Sequence, residues 1–352
     1  MTRSVHPWNQ TLWQQLTQDP ERSAHALLLV GGRGLGKRVL AECLADYILC
    51  DGNLNHQQLF TAGSHPDFYV LRPEALVEEH KLLDKDLYEL SPELTNTYAA
   101  RLIPRHTGKP KQALSIDQIR MLTPLITTHP HISKHRVVLI DHADKMNASA
   151  SNALLKNLEE PPANTLFLLI SDRADKLAPT IRSRCSLVTF CAPELASGAA
   201  WLESQAQLSK EDVAAYMAIA NNHPLQALYY YKNSVREVTQ TLLKSVNGLW
   251  NHSVHVSQAA KDWQDIGAEA ALDMLQKLSA DLLKAKASDS ELGLFFPIQR
   301  TWVAKTAARL DGQKLFALFD ELGRMKRLIS TTVDQQLVLE SVGIRFKELP
   351  IQ

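Results

Sequence analysis

The chain reads as an α/β domain built on a parallel sheet, followed by a small helical part and then a helical bundle. Three observations carry this reading. In the first half, short apolar runs alternate with stretches of helical period, the pattern of parallel strands joined by helical crossovers. The first run, "AHALLLVGG", passes straight into glycines and then into an amphipathic stretch. Beyond about residue 193 no further run of strand-forming residues occurs, while helical periods recur to the end. The boundaries that follow are 1–192, 193–234 and 235–352.

Taken in order, "AHALLLVGG" suits a buried parallel strand entering a phosphate-type loop. "KRVLAECLADYILC" at 37–50 places Val39, Leu40, Cys43, Leu44, Tyr47 and Ile48 at helical spacing. "HPDFYVL" at 65–71 is a second strand. Residues 73–114 form a charge-rich insertion, read as a solvated surface excursion. "SIDQIRML" opens on a capping box, Ser115 answered by Gln118. "HRVVLID" is a third strand ending on Asp141. "NASASNALLKNLEEPP" is a helix with Asn147 as N-cap, and it stops at Pro161 and Pro162, which cannot continue it. "TLFLLIS" ending at Ser171 and "SLVTF" at 186–190 complete five strands. In the small helical part, "SKEDVAAYMAIA" starts from Ser209 as N-cap with acidic residues in its first turn. Longer helices are expected around 235–250, 267–286, 297–309, 313–328 and 331–346. On them Leu322, Leu337, Leu339 and Val342 serve either the bundle's own core or an assembly face.

The 38 Lys and Arg balance 38 Asp and Glu across 352 residues, so net charge alone does not indicate a strong nucleic-acid or membrane binder. There is no apolar run of about 18 residues, the length a spanning helix needs, and no signal-peptide core at the N-terminus. A cytoplasmic protein with no membrane partner is expected. Cys43, Cys50, Cys185 and Cys191 form no C-x-x-C pair and are expected as reduced thiols.

"GGRGLGKR" at 31–38 carries the chemistry. Gly31, Gly36 and Lys37 match a phosphate-cradling loop, whose amides and lysine hold phosphate oxygens. The next position should offer a hydroxyl to Mg²⁺; here it is Arg38, whose charge competes with the ion. The second half of such a site lies at the end of "VVLID". Hydrolysing sites of this type carry an Asp-Glu pair there, one supporting Mg²⁺ and the other polarising water. Here Asp141 is followed by His142, a poorer base. With both positions altered, hydrolysis by this chain is not expected.

"GGRGLGKR", "SIDQIR", "VVLIDHADKMN", "NALLKNLEEPP" and "IRSRC", in this order, resemble the clamp-loader branch of the AAA+ proteins. "HPW" at 6–8 and "DQQLVLESVGIRF" near the end extend the resemblance over nearly the whole chain. It implies an AAA+ domain, a helical lid at 193–234 and a C-terminal helical collar at 235–352 that mediates assembly. It implies a five-subunit machine, part of the bacterial DNA polymerase III holoenzyme, that opens a ring-shaped sliding clamp and places it on primed DNA. Partners would be ATPase subunits of the tau/gamma type and a delta subunit. The resemblance also implies that Arg184 of "IRSRC" acts in trans as an arginine finger on a neighbouring subunit's ATP. Lying after "TLFLLIS" and the link "DRADKLAPTI" and just before "SLVTF", the arginine should stand at an edge of the sheet domain and not in its core.

Two other readings stay open: a competent ATPase in which Lys37 and His142 suffice, and a nucleotide-sensing adaptor that binds ATP or ADP without turnover. Family members commonly carry a four-cysteine zinc module after the loop helix, and this sequence lacks its cysteines. A substitute set of Cys43, Cys50, His56 and His65 is conceivable, but Cys43 lies on the apolar helix face, so neither zinc nor another required cofactor is expected.

Overall fold

The computed structural model describes residues 4–18, 24–78, 101–104, 111–287, 293–329 and 333–349. Five parallel strands, β1 (Ala26–Val30), β2 (Phe68–Leu71), β3 (Arg136–Ile140), β4 (Thr165–Ser171) and β5 (Ser186–Thr189), lie in the order β2-β3-β4-β1-β5. Leu28 of β1 stands opposite Leu169 of β4 and Leu187 of β5. Val138 of β3 stands opposite Tyr69 of β2 and Phe167 of β4. β1, β3 and β4 therefore end side by side, and whatever follows their last residues gathers at one edge of the sheet.

Alternation along each strand divides the core. Leu27 and Leu29 point into one layer with Leu40, Leu44 and Phe60. Ala26 and Leu28 point into the other with Ile119, Leu154 and Leu158. Both faces are covered by helices, as a parallel sheet requires. The sheet-domain helices are α1 (Gln10–Thr17), α2 (Lys37–Cys50), α3 (Leu54–Thr61), α4 (Glu74–Glu78), α5 (Ile116–Ile126), α6 (Ala148–Glu159) and α7 (Pro179–Arg182). The capping box at Ser115 and Gln118 is present, and the Asn147 side chain accepts from the Ala150 N–H at the start of α6.

Of the insertion, residues 79–100 and 105–110 lie outside the described residues. Its ends are anchored in the sheet domain. Leu102 and Leu114 are buried, Arg101 Nη2 donates to the Gly63 carbonyl at 2.9 Å, and Glu74 Oε2 accepts from the Lys111 N–H at 3.0 Å.

The chain divides into two compact units, Met1–Gly198 with His223–Gln226, and Ala199–Asn222 with Ala227–Gln352. Within the second, a small cluster of Leu202, Val213, Met217, Ala227 and Leu228 is separate from the larger bundle core. The bundle consists of Val235–Trp250, Val256–Ile266, Ala268–Ala287, Arg300–Ala307, Gly312–Leu328 and Gln335–Lys347. Its centre is Trp263, fully buried, whose Nε1–H donates to Ser245 Oγ at 2.7 Å. Among the described residues no helix is long and apolar enough to cross a membrane.

The structure separates the four apolar positions singled out in the last two helices. Leu322, Leu339 and Val342 are buried in the bundle core, whereas Leu337 is 63% exposed. Leu339→Ala is expected to cost about 2–5 kcal/mol, the range for truncating a buried leucine. Leu337→Ser should change stability by no more than about 0.5 kcal/mol, as exposed sites do. Urea unfolding of both variants checks the distinction.

Candidate functional site

The loop between β1 and α2 closes the C-terminal end of β1. Gly34 and Gly36 both adopt φ of 82°, a region that side-chain-bearing residues enter only with strain. Each also meets a close neighbour. A Cβ on Gly36 would sit 2.7 Å from His6 Cδ2, and one on Gly34 would sit 2.6 Å from the Gln226 backbone nitrogen. The loop is thus covered by other parts of its own unit. On one side Trp8 Nε1 and Asn9 Nδ2 both donate to the Leu35 carbonyl, at 3.0 and 2.8 Å, with His6 stacked on Trp8. On the other, His223 Nδ1 donates to the Arg33 carbonyl at 2.8 Å and the Leu225 N–H donates to Gly34 at 3.3 Å.

Lys37 is buried at the head of α2. Its ammonium donates to the carbonyls of Gly31 (2.6 Å) and Gly32 (2.8 Å) and to Asp172 Oδ1 (2.8 Å). An ammonium has three donors, and all three are engaged within the protein. To reach a phosphate, Lys37 must give up at least one of these partners.

Behind the loop lies a buried charge cluster. Asp141, at the end of β3, is fully buried; Arg38 and Glu42 are each 2% exposed and Arg72 1%. Arg38 Nε bonds Glu42 Oε1 at 3.2 Å, one helical turn on, and Arg38 Nη1 lies 3.7 Å from Asp141 Oδ2. Arg72 Nε lies 3.2 Å from the same carboxylate oxygen. Burial works against the ionised form of Asp141. Its pKa nevertheless falls to about 2, because His142, Arg38 and Arg72 face it. Burial lowers the pKa of His142 itself.

Magnesium demands near-octahedral oxygen ligands. Here the candidate carboxylate is flanked by two guanidinium groups and the adjacent hydroxyl is absent. The residues present do not fit the ion.

Arg184 follows α7 and precedes β5, the edge strand of the sheet. The sequence expectation that it stands at an edge of the domain matches this position: its side chain is 34% exposed, while neighbouring Ile181 is buried. Its Nη1 donates to the Thr180 carbonyl (3.0 Å) and Ser183 Oγ (3.4 Å). Its Nη2 pairs with Glu159 Oε1, on the last residue of α6. Cys185 beside it is raised to about 11 by burial, so its thiol stays protonated.

The side chains considered for zinc make other contacts. Cys50 Sγ donates to Asp46 Oδ1, and His56 Nδ1 bonds the Leu49 carbonyl. His65 Nδ1 accepts from the Asp67 N–H while its Nε2 meets Ser133 Oγ. Among the described residues no three of His, Cys, Asp and Glu gather as a metal set, and these four side chains do not fit one.

The sequence reading named Gly31, Gly36, Lys37, Asp141 and Arg184. The structure brings the loop and Asp141 to one edge of the sheet and places Arg184 apart, before β5. It adds Arg72, Asp172, Glu42, His223 and Glu159. Arg72 and Asp172 were accessible in principle as charged residues directly following apolar strands. Glu42 was accessible as the i,i+4 partner of Arg38. His223 and Glu159 carried no comparable local signal.

A strand, glycine loop and helix on a parallel sheet, with an aspartate closing β3, the next strand but one, define a phosphate-loop α/β protein. The family model described as DNA polymerase III, delta subunit, matches residues 8–194, and the chain belongs to that family. It is similar to the DNA polymerase III subunit delta' of Pseudomonas aeruginosa, at 29% identity with 98% of each chain covered. It is likewise similar to the subunit delta' of Escherichia coli, at 25% identity over 97% of this chain and 95% of that one. A solved gamma-subunit-related protein of Thermotoga maritima is similar at 15% identity, with 97% of this chain and 99% of that chain covered and a TM-score of 0.44.

Arg38→Ser restores the hydroxyl of the loop but strips Asp141 and Glu42 of a buried partner. It is expected to cost about 3–5 kcal/mol of stability, the usual result of breaking a buried pair from one side, measured by denaturant unfolding. His6 and His65 are both lowered by burial to about 4 from 6.5. The unfolded chain takes up these protons first. The stability they support is therefore full above pH 6.5 and lost as pH falls towards 4. Thermal midpoints between pH 7.5 and 4.5 should decline, and each of His6→Gln and His65→Gln should flatten the decline.

Proposed function

We propose that this chain is a non-hydrolysing clamp-loader subunit of DNA polymerase III that presents Arg184 to the ATP of a neighbouring subunit. Its partners are tau/gamma-type ATPase subunits and a delta subunit, and the assembly loads the sliding clamp onto primed DNA in the cytoplasm. Residues 193–234 serve as lid, and 235–352 as the collar through which the subunits associate. The observation that carries the reading is the Arg38–Asp141 pair. A protein cation faces the carboxylate that supports magnesium in hydrolysing sites, while a second arginine stands partly exposed at the sheet edge. The first removes this chain's own chemistry, and the second lets it take part in another's.

An arginine finger stabilises charge spread over the transferring phosphoryl group and is worth roughly 10³–10⁵ in rate at its own site. Arg184→Ala should leave fold and assembly intact, abolish turnover at the one adjoining site and slow clamp loading. Arg184→Lys should not restore it, since an ammonium keeps the charge but lacks the planar fork. DNA-stimulated phosphate release by the reconstituted complex measures this. Unchanged hydrolysis and loading by a normally assembled alanine variant would falsify the proposal.

A further inference from the structure

We propose that Glu159 parks Arg184: it occupies one arm of the guanidinium until a neighbouring phosphate displaces it, and so holds down hydrolysis before DNA is engaged. This rests on the reading of Arg184 as a finger.

Glu159 ends α6, directly before Glu160, Pro161 and Pro162. A carboxylate in the last turn faces the negative end of the helix dipole, so the helix gains nothing from it there. Its contact is instead Arg184 Nη2. Arg184 Nη1 is meanwhile bound to Thr180 and Ser183. Both terminal nitrogens of the fork that would grip phosphate oxygens thus have partners inside this chain. Nη1 holds a neutral carbonyl and a hydroxyl; only Nη2 faces a competing negative charge.

The backbones on either side are fixed. Leu158, next to Glu159, and Ile181, three residues before Arg184, are both buried in the same core layer. Release therefore needs only a side-chain rotation at the two arms of the pair. Glu159 is 47% exposed and Arg184 34%, so the pair is weak enough to yield to a phosphate. An exposed ion pair of this sort sustains a shift of about two- to fivefold in equilibrium, which sets the expected effect. Glu159 acts on the reaction through Arg184 and is a positioning residue.

The test has two arms. In the isolated chain, modification of Arg184 by phenylglyoxal, followed by mass spectrometry with the remaining arginines as internal reference, should run about two- to fivefold faster in Glu159→Gln. In the complex reconstituted with its ATPase partners, Glu159→Gln should raise DNA-free phosphate release at the adjoining site by a similar factor. The DNA-stimulated maximum should stay unchanged, and adding Arg184→Ala should erase the gain. Glu159→Asp, a charge-retaining variant, should lie between Gln and wild type, and serves if Gln fails to fold. If Arg184→Ala alone leaves hydrolysis unchanged, the finger reading and this inference fall together. If it cuts hydrolysis while Glu159→Gln matches wild type in either arm, parking alone is wrong. A Glu159→Gln complex that is slower than wild type shows orientation instead of parking and likewise overturns it.

Discussion

The buried carboxylate of Asp141 is the constraint on which the site depends. A charge at the end of a central strand, removed from water, must have a counter-charge. In a hydrolysing phosphate-loop protein a diffusible magnesium ion, arriving with the nucleotide, serves near that point. Here Arg38 and Arg72 are the counter-charges, one from the first turn of α2 and one from the end of β2. Both are attached to the chain and therefore always present. They stitch α2, β2 and β3 together, and the cluster that prepares catalysis elsewhere becomes a structural joint.

The rest of the loop has moved in the same direction. Lys37 keeps its place at the head of α2, yet its donors go to Gly31, Gly32 and Asp172. The loop carbonyls that remain are taken by Trp8, Asn9, His223 and Leu225. A nucleotide phosphate, itself an acceptor, would have to displace at least one of the Lys37 partners. Arg184 differs in kind, since it lies before an edge strand and holds only partly exposed partners. The buried arginine joins α2 to the end of β3, and the edge arginine stands partly exposed.

Much of this was legible in the sequence where the information is local. The α2 boundaries, the capping box at Ser115, the N-caps at Asn147 and Ser209, and all five strands follow from periodicity and capping chemistry. The mismatch at Arg38 was equally plain. What escaped depends on pairings between distant segments. Arg72 and Asp172 meet their partners only because β2, β3, β4 and β1 are adjacent in the sheet. The helix Val256–Ile266 also escaped, although Val256, Ala259, Ala260, Trp263 and Ile266 recur at clear helical spacing. Tyr47, placed on the apolar face of α2 by spacing, is 46% exposed because it lies at the margin of that face, near the helix end. Leu337 was likewise inseparable by pattern from the buried Leu339 and Val342.

The central claim is that the chain's own cations have taken over the metal's ground. Steady-state phosphate release by the purified chain, with magnesium and with EDTA, tests it most directly. The account predicts background release in both, with no dependence on magnesium. Magnesium-dependent turnover that disappears on Lys37→Ala would contradict it.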